Sequence, residues 1–214
     1  MKKIERPHYF WKLIIAFILG TVIFVGIFAL SYSISYSKLR GVFETQEQLK
    51  KDILSYDLYK DISGMHCENF NPYNYTGEMD RIGGLIGVLE ERFGKDNARV
   101  MEQKEIYSLL EARHLGYILD YNKYCPGNIS TILFFYSNLD DFKRKSGDLG
   151  YSLTVLKNKN PEIMIYSFDY DLNSSVISTF IEKYNVTEPN LLVINEVTQN
   201  SSLRYLYDFE SLLK

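Results

Sequence analysis

Cysteine is scarce in this chain: Cys67 and Cys125 are the only two among 214 residues. With His66 and His114 they make two thiols and two imidazoles, but their spacing fits no common zinc pattern, so no metal is expected. No Gly-X-Ser-X-Gly elbow surrounds any serine, which removes the usual signature of a serine hydrolase. Basic clusters are missing too. The net charge is −3 and the lysines and arginines are dispersed, leaving no electrostatic footprint for nucleic acid. Glu111 and His114 stand at i, i+3 as in di-iron bundles, yet the second copy such a centre needs is absent, and a lone helical histidine is more often structural. Asp169, Asp171 and Asn173 open like a calcium loop, but Ser174 replaces its glycine and Phe180 its bidentate glutamate, so helix capping explains them better. No catalytic residue and no cofactor are expected from these patterns.

What the chain does have is a long apolar run. Residues 13–37 carry no charge, consist mostly of Leu, Ile, Phe, Val and Ala, and are flanked by Lys12 and Lys38. About 20 apolar residues at 1.5 Å each cross a hydrocarbon core about 30 Å thick, so the run is long enough to contact the lipid bilayer across its whole width. A cleaved secretory signal is the competing reading, but its apolar region is usually about 7–15 residues. The expected plan is therefore a short cytoplasmic tail (1–12), a transmembrane helix (13–37), a helical stalk and cap region (38–127) and an α/β domain (128–214). Lysines and arginines balance on the two sides of the span, so the positive-inside rule does not orient it. Five Asn-X-Ser/Thr sequons, beginning at Asn74, Asn128, Asn173, Asn185 and Asn200, favour a single-pass membrane protein with its large C-terminal part outside the cytoplasm. In that compartment one even cysteine pair is ordinarily a structural disulfide, with free thiols and a redox pair as the alternatives.

After the span, Val42, Leu49, Ile53 and Leu58 suit an amphipathic stalk helix, supported by Glu47 and Lys51 at i, i+4. Met79, Ile82, Ile86, Leu89 and Phe93 alternate spacings of three and four, placing them on one helix face that Gly94 ends. Gly83 and Gly87 within it are four apart, a spacing that lets two helices approach closely. Ile106, Leu109, Leu110, Arg113 and Tyr117 continue in a further helix. An irregular loop interrupts the region around Phe70-Asn71-Pro72-Tyr73.

Past Gly127 the period changes. The runs 131–136, 163–166 and 191–194 read as short buried strands. Between them lie helices, the first carrying Phe142, Leu149, Leu153 and Leu156, the second running from Val176 to Tyr184 with Asn173-Ser174-Ser175 offering N-cap oxygens. Leu203, Leu206, Tyr207 and Leu213 give a terminal helix its apolar face, and a fourth strand near Val197-Thr198 is conceivable from its residues. Strands alternating with helices predict parallel pairing through right-handed crossovers.

Ile132-Leu133-Phe134-Phe135-Tyr136-Ser137 and the stretch 183–194, with Pro189 just ahead of a strand, resemble the thioredoxin-like superfamily. The resemblance implies a βαβα-β(β)α domain over residues 129–214, with Pro189 at the family's cis-proline position. It also locates the family's Cys-X-X-Cys where the first strand meets its helix, and there this chain has Phe142 and Lys145 at the matching spacing. A dithiol needs an attacking thiolate and a resolving thiol at one helix N-terminus, and neither is present. The implied function is a redox-inactive module that binds an unidentified protein or peptide in a groove between the first helix's N-terminus and the loop before Leu191. The alternative is a thiol-disulfide oxidoreductase or redox partner that uses Cys67 and Cys125.

Overall fold

The protein was analysed as a computed structural model, which describes residues 7–63, 67–68, 71–73 and 75–199. The expected terminal helix and the sequons at Asn74 and Asn200 lie outside the described residues, as does His66. The chain divides into two compact units, residues 1–44 and 45–214.

The first unit holds most of helix α1 (Pro7–Ser63). Within it Phe10–Ile34 is long and apolar enough to cross a membrane, and none of its residues is buried inside the protein. Side chains such as Phe17, Phe24 and Phe28 stand exposed along it. Near its end Arg40 pairs with Glu44 at i, i+4.

The second unit is mixed α/β and mostly helical. Helices α2 (Thr76–Phe93) and α3 (Ala98–Tyr124) form a hairpin. Met79, Ile82 and Ile86 of α2 pack on Leu110 and Tyr117 of α3, as the three-four spacing predicts. Gly94 ends α2 at φ 86°, a left-handed conformation that favours glycine. Asn97 then caps α3 by accepting a hydrogen bond from the Arg99 N–H at 3.0 Å. Strand β1 (Thr131–Tyr136), helix α4 (Asp140–Lys159), strand β2 (Met164–Asp169), helix α5 (Ser175–Lys183) and the short strands β3 (Leu192–Ile194) and β4 (Val197–Gln199) follow.

The sheet has the order β2-β1-β3-β4. β1 and β2 are parallel, with Phe134 opposite Ser167, but β3 runs antiparallel to β1, with Leu133 opposite Val193, and β4 antiparallel to β3. The expectation of parallel pairing throughout is corrected at β3. Helix α4 has 20 residues, enough to carry the chain back along the sheet. The nine residues of α5 rise only about 13 Å, less than the roughly 20 Å length of a six-residue strand. After α5 and the linker 184–191 the chain re-enters the sheet at the end where β1 and β2 finish, with Leu192 opposite Phe134.

One sheet face, Leu133, Phe135, Met164, Tyr166 and Phe168, packs against Leu115 and Ile118 of α3 and Ile177 of α5. The other, Ile132, Phe134, Leu192 and Ile194, packs against Leu149, Leu153 and Leu156 of α4. The sheet is thus the middle of three layers, with residues alternating between two cores at the strand period. Ser174 occupies the N-cap position of α5 but makes no side-chain cap bond, a departure from the capping expected of Asn173-Ser174-Ser175. Its carbonyl instead accepts from the Ser178 hydroxyl at 3.0 Å.

Candidate functional site

The two cysteines are joined. Cys67 precedes α2 and the buried Cys125 caps the end of α3, with Cα atoms 5.6 Å apart. The bridge sits where the chain enters β1. The start of α4 and the loop carrying Pro189 sit where β1 ends, about 20 Å away along a six-residue strand.

That second location is where a thioredoxin-like protein would have its dithiol, and here it is closed by hydrogen bonds. Phe142 and Lys145 lie in the first turns of α4, and no cis peptide occurs among the described residues, so the bond before Pro189 is trans. Asn190 follows at φ 69°, with no exposed surface. Its N–H donates to the Phe135 carbonyl at 2.7 Å, and its Oδ1 accepts from the Ser146 hydroxyl at 2.6 Å. The Ser137 N–H donates to the Ser146 oxygen at 3.0 Å, while the Ser137 hydroxyl donates to Asp171 at 2.6 Å. Asn190 tolerates the left-handed backbone better than most residues and satisfies the end of β1 from inside. These bonds tie the loop before Leu191 to α4 and to the end of β1.

Open space lies on the other side of α4. A cavity of about 590 Å³ separates the α2–α3 hairpin from α4 and the free edge of β2. Such a volume falls within the range of about 300–1,000 Å³ typical of small-molecule sites. Its mouth carries the exposed Asp80, Gly84, Thr154 and Asn158, and its floor the buried Lys104, Ser108, Glu111 and Leu153. A Cβ added at Gly84 or Gly87 would meet nothing within 4 Å, whereas one at Gly83 would stand 3.1 Å from the Tyr107 hydroxyl. Gly83 thus serves the close helix approach read from the sequence. Gly87 does not: it widens the cavity.

Two buried polar centres shape the floor. Lys104, only 4 % exposed, pairs with Asp169 at the end of β2 and with Glu90 of α2 at 3.0 Å, and lies 5.5 Å from the Tyr136 ring centre. Asp169 also accepts from Asn138 at 3.2 Å, and Asn138 in turn from Lys95. An ammonium flanked by two carboxylates can remain charged in a low-dielectric interior because each carboxylate offsets part of its desolvation. It ties the hairpin to the end of the sheet.

Glu111 is the second centre. β2 is an edge strand, so the outward N–H of Ser167 has no strand partner; it donates instead to Glu111 Oε1 at 3.1 Å. Burial outweighs the hydrogen bonds from Ser167 and Tyr107 that favour the anion and, with the nearby Asp80 carboxylate, pushes the Glu111 carboxyl up to about 8. Its Oε2 is buried and has no hydrogen-bond partner, and Glu111 is among the residues that line the cavity. The Tyr107 and Tyr136 phenols are raised well above their ordinary value, both chiefly by burial.

His114, one turn on, is fully buried. Its Nε2 lies 3.1 Å from the Pro72 carbonyl, which can only accept, so Nε2 carries the proton and Nδ1 accepts from the Tyr166 hydroxyl at 2.8 Å. Burial lowers its pKa to about 4, so the imidazole is neutral at pH 7. Both nitrogens are engaged in fixing the loop before α2 to the sheet. Asp169 and Asp171 are likewise committed to Lys104 and Ser137, not arranged around a common point. Lys104, Glu90, Tyr107 and Tyr136 carry no motif in the sequence. The visible signal is phase alone: Lys104 and Glu111 lie four and eleven residues after the buried Val100, on the same helix face.

No protein-family model matches this chain, and neither a curated protein nor a solved structure matches it significantly.

Proposed function

We propose that this chain is a single-pass membrane protein whose C-terminal part lies outside the cytoplasm, contains a redox-inactive thioredoxin-like domain and binds a protein or peptide. The element order β1-α4-β2-α5-Pro189-β3 supports the fold, as does a mixed sheet with its third strand antiparallel to the first. The observation that carries the absence of dithiol chemistry is the separation of parts: the bridged cysteines lie at one end of β1, and the N-terminus of α4, with Phe142 and Lys145, at the other. A redox pair at that terminus would draw on the helix dipole to stabilise a thiolate, and no thiol is there to use it. The apolar segment Phe10–Ile34 supports anchoring in a bilayer. Binding is assigned to the cavity between the α2–α3 hairpin and α4, whose volume of about 590 Å³ suits a small ligand or a side chain.

Full-length protein in detergent should show no reduction of a general disulfide substrate in the presence of dithiothreitol above the rate of dithiothreitol alone. Reductase turnover that disappears in the double variant Cys67→Ser, Cys125→Ser would replace this reading with a thiol-disulfide oxidoreductase.

A further inference from the structure

We infer that the cavity between the α2–α3 hairpin and α4 is a receptor for a cationic arm, a guanidinium or primary ammonium, seated against Glu111. The inference rests on the binding role proposed above and names the chemistry that the site selects.

The charge balance of the walls points to a cation. From α2 come Asp80 and Glu90, and from α3 Glu111 and Lys104. Lys104 is engaged by Glu90 and by Asp169 of β2, so it offers no free positive charge to an anion. The second cation, Lys157 of α4, donates to the Ile163 carbonyl at 3.0 Å. β1 contributes Tyr136, and β2 contributes Ser167 and Ile165, which carry no charge. With Glu90 engaged by Lys104, Asp80 and Glu111 are the carboxyl groups left to face a ligand, beside the single ammonium of Lys157.

Geometry supplies the second argument. Glu111 is among the residues lining the cavity; its Oε2 is buried just behind that lining without a hydrogen-bond partner, while its other oxygen accepts from Ser167. A guanidinium or ammonium placed there donates the missing bond, and a charge-assisted bond in a dry site is among the stronger polar contacts. Gly84 and Gly87 leave the α2 wall bare, so an unbranched arm can pass between the exposed mouth and the floor. Burial keeps the carboxyl protonated in the empty site. A cation arriving at Oε2 favours the anion, so the Glu111 proton leaves to solvent as the ion pair forms.

Calorimetry on the full-length protein in detergent at pH 7, repeated in buffers of different ionisation enthalpy, tests this. The probes are a hexapeptide with one central arginine, the same peptide with citrulline, which keeps the shape without the charge, and spermidine. The arginine peptide should bind with release of close to one proton, and the citrulline peptide at least about tenfold more weakly. Spermidine binding with the same proton release would assign the site to a free amine, and preference for the peptide would assign it to a side chain of a protein partner. Glu111→Gln keeps the acceptor for Ser167, and should abolish proton release and weaken the arginine peptide at least about tenfold. Gly87→Leu, which projects into open space without a clash, should block binding while leaving the fold intact. Equal binding of the arginine and citrulline peptides, unchanged binding by Glu111→Gln, or no binding of any cationic probe would overturn the cationic assignment. The reductase assay reads the redox-inactive role independently of these outcomes.

Discussion

Replacing Glu111 by Gln should remove a specific component of the pH dependence of stability. The Glu111 carboxyl is raised from 4.5 to about 8 in the folded protein, chiefly by burial. Below about pH 4.5 both folded and unfolded chains hold the proton, so the full stabilising contribution is present there. As pH rises towards 8 the unfolded chain has released the proton while the folded one keeps it, and stability falls by up to about 1.4 kcal/mol per pH unit. His114 acts in the opposite direction. Its folded value is lowered from 6.5 to about 4, so its contribution is complete above 6.5 and is lost as pH falls towards 4. The two slopes oppose each other below about 6.5, and between 6.5 and 8 only the glutamate remains. Over that window the wild-type protein should lose about 2 kcal/mol relative to Glu111→Gln. Urea unfolding followed by circular dichroism at pH 6.5, 7.2 and 8.0, on both proteins in the same detergent, reads the difference directly, because every group the two proteins share cancels. A wild-type minus variant difference that stays constant across the window would refute the buried, protonated carboxyl.

Cys67→Ser should cost about 2–5 kcal/mol of stability, the usual loss for a native disulfide, and the wild-type protein should resist alkylation until reduced, as read by intact mass. Lys104→Met should cost about 3–5 kcal/mol, because it leaves Asp169 and Glu90 as buried carboxylates without their cation; a melting temperature unchanged from wild type would contradict the pinning role. In right-side-out membrane vesicles, external protease should digest the C-terminal part, and its protection would reverse the proposed orientation.

The parts of this fold that were legible in the sequence are those where one physical signal dominates. The three-four stripe from Met79 to Leu89 forms the buried face of α2, and the apolar runs at 131–136 and 191–194 contain strands, because burial of that much hydrocarbon leaves few other arrangements. Strand direction was not legible. A period-two pattern reads the same in both directions, and what sets β3 antiparallel is the end of the sheet to which the linker 184–191 returns the chain. The site was less legible still. Glu111 drew attention only beside His114 as a metal pair, whereas in the folded chain the two face different partners, Ser167 and Pro72. Lys104 looked like one more dispersed surface lysine until Asp169, 65 residues away, arrived beside it. Asn190 could not be recognised as the tie between α4 and the end of β1, since that role depends on Ser146 and Phe135 from two other elements.

The Cys67–Cys125 bridge turns the intervening 58-residue separation into a covalent ring that contains both helices of the hairpin. The turn between those helices, at residues 94–97, is the natural point for a protease to enter, with Gly94, Asp96 and Asn97 exposed. A single cut there opens the ring without releasing a fragment, since the N-terminal piece, with its long apolar helix, stays joined through Cys67 to the piece carrying the sheet. Separating the sheet from the N-terminal apolar helix by such a nick would therefore require a reductant as well as a protease.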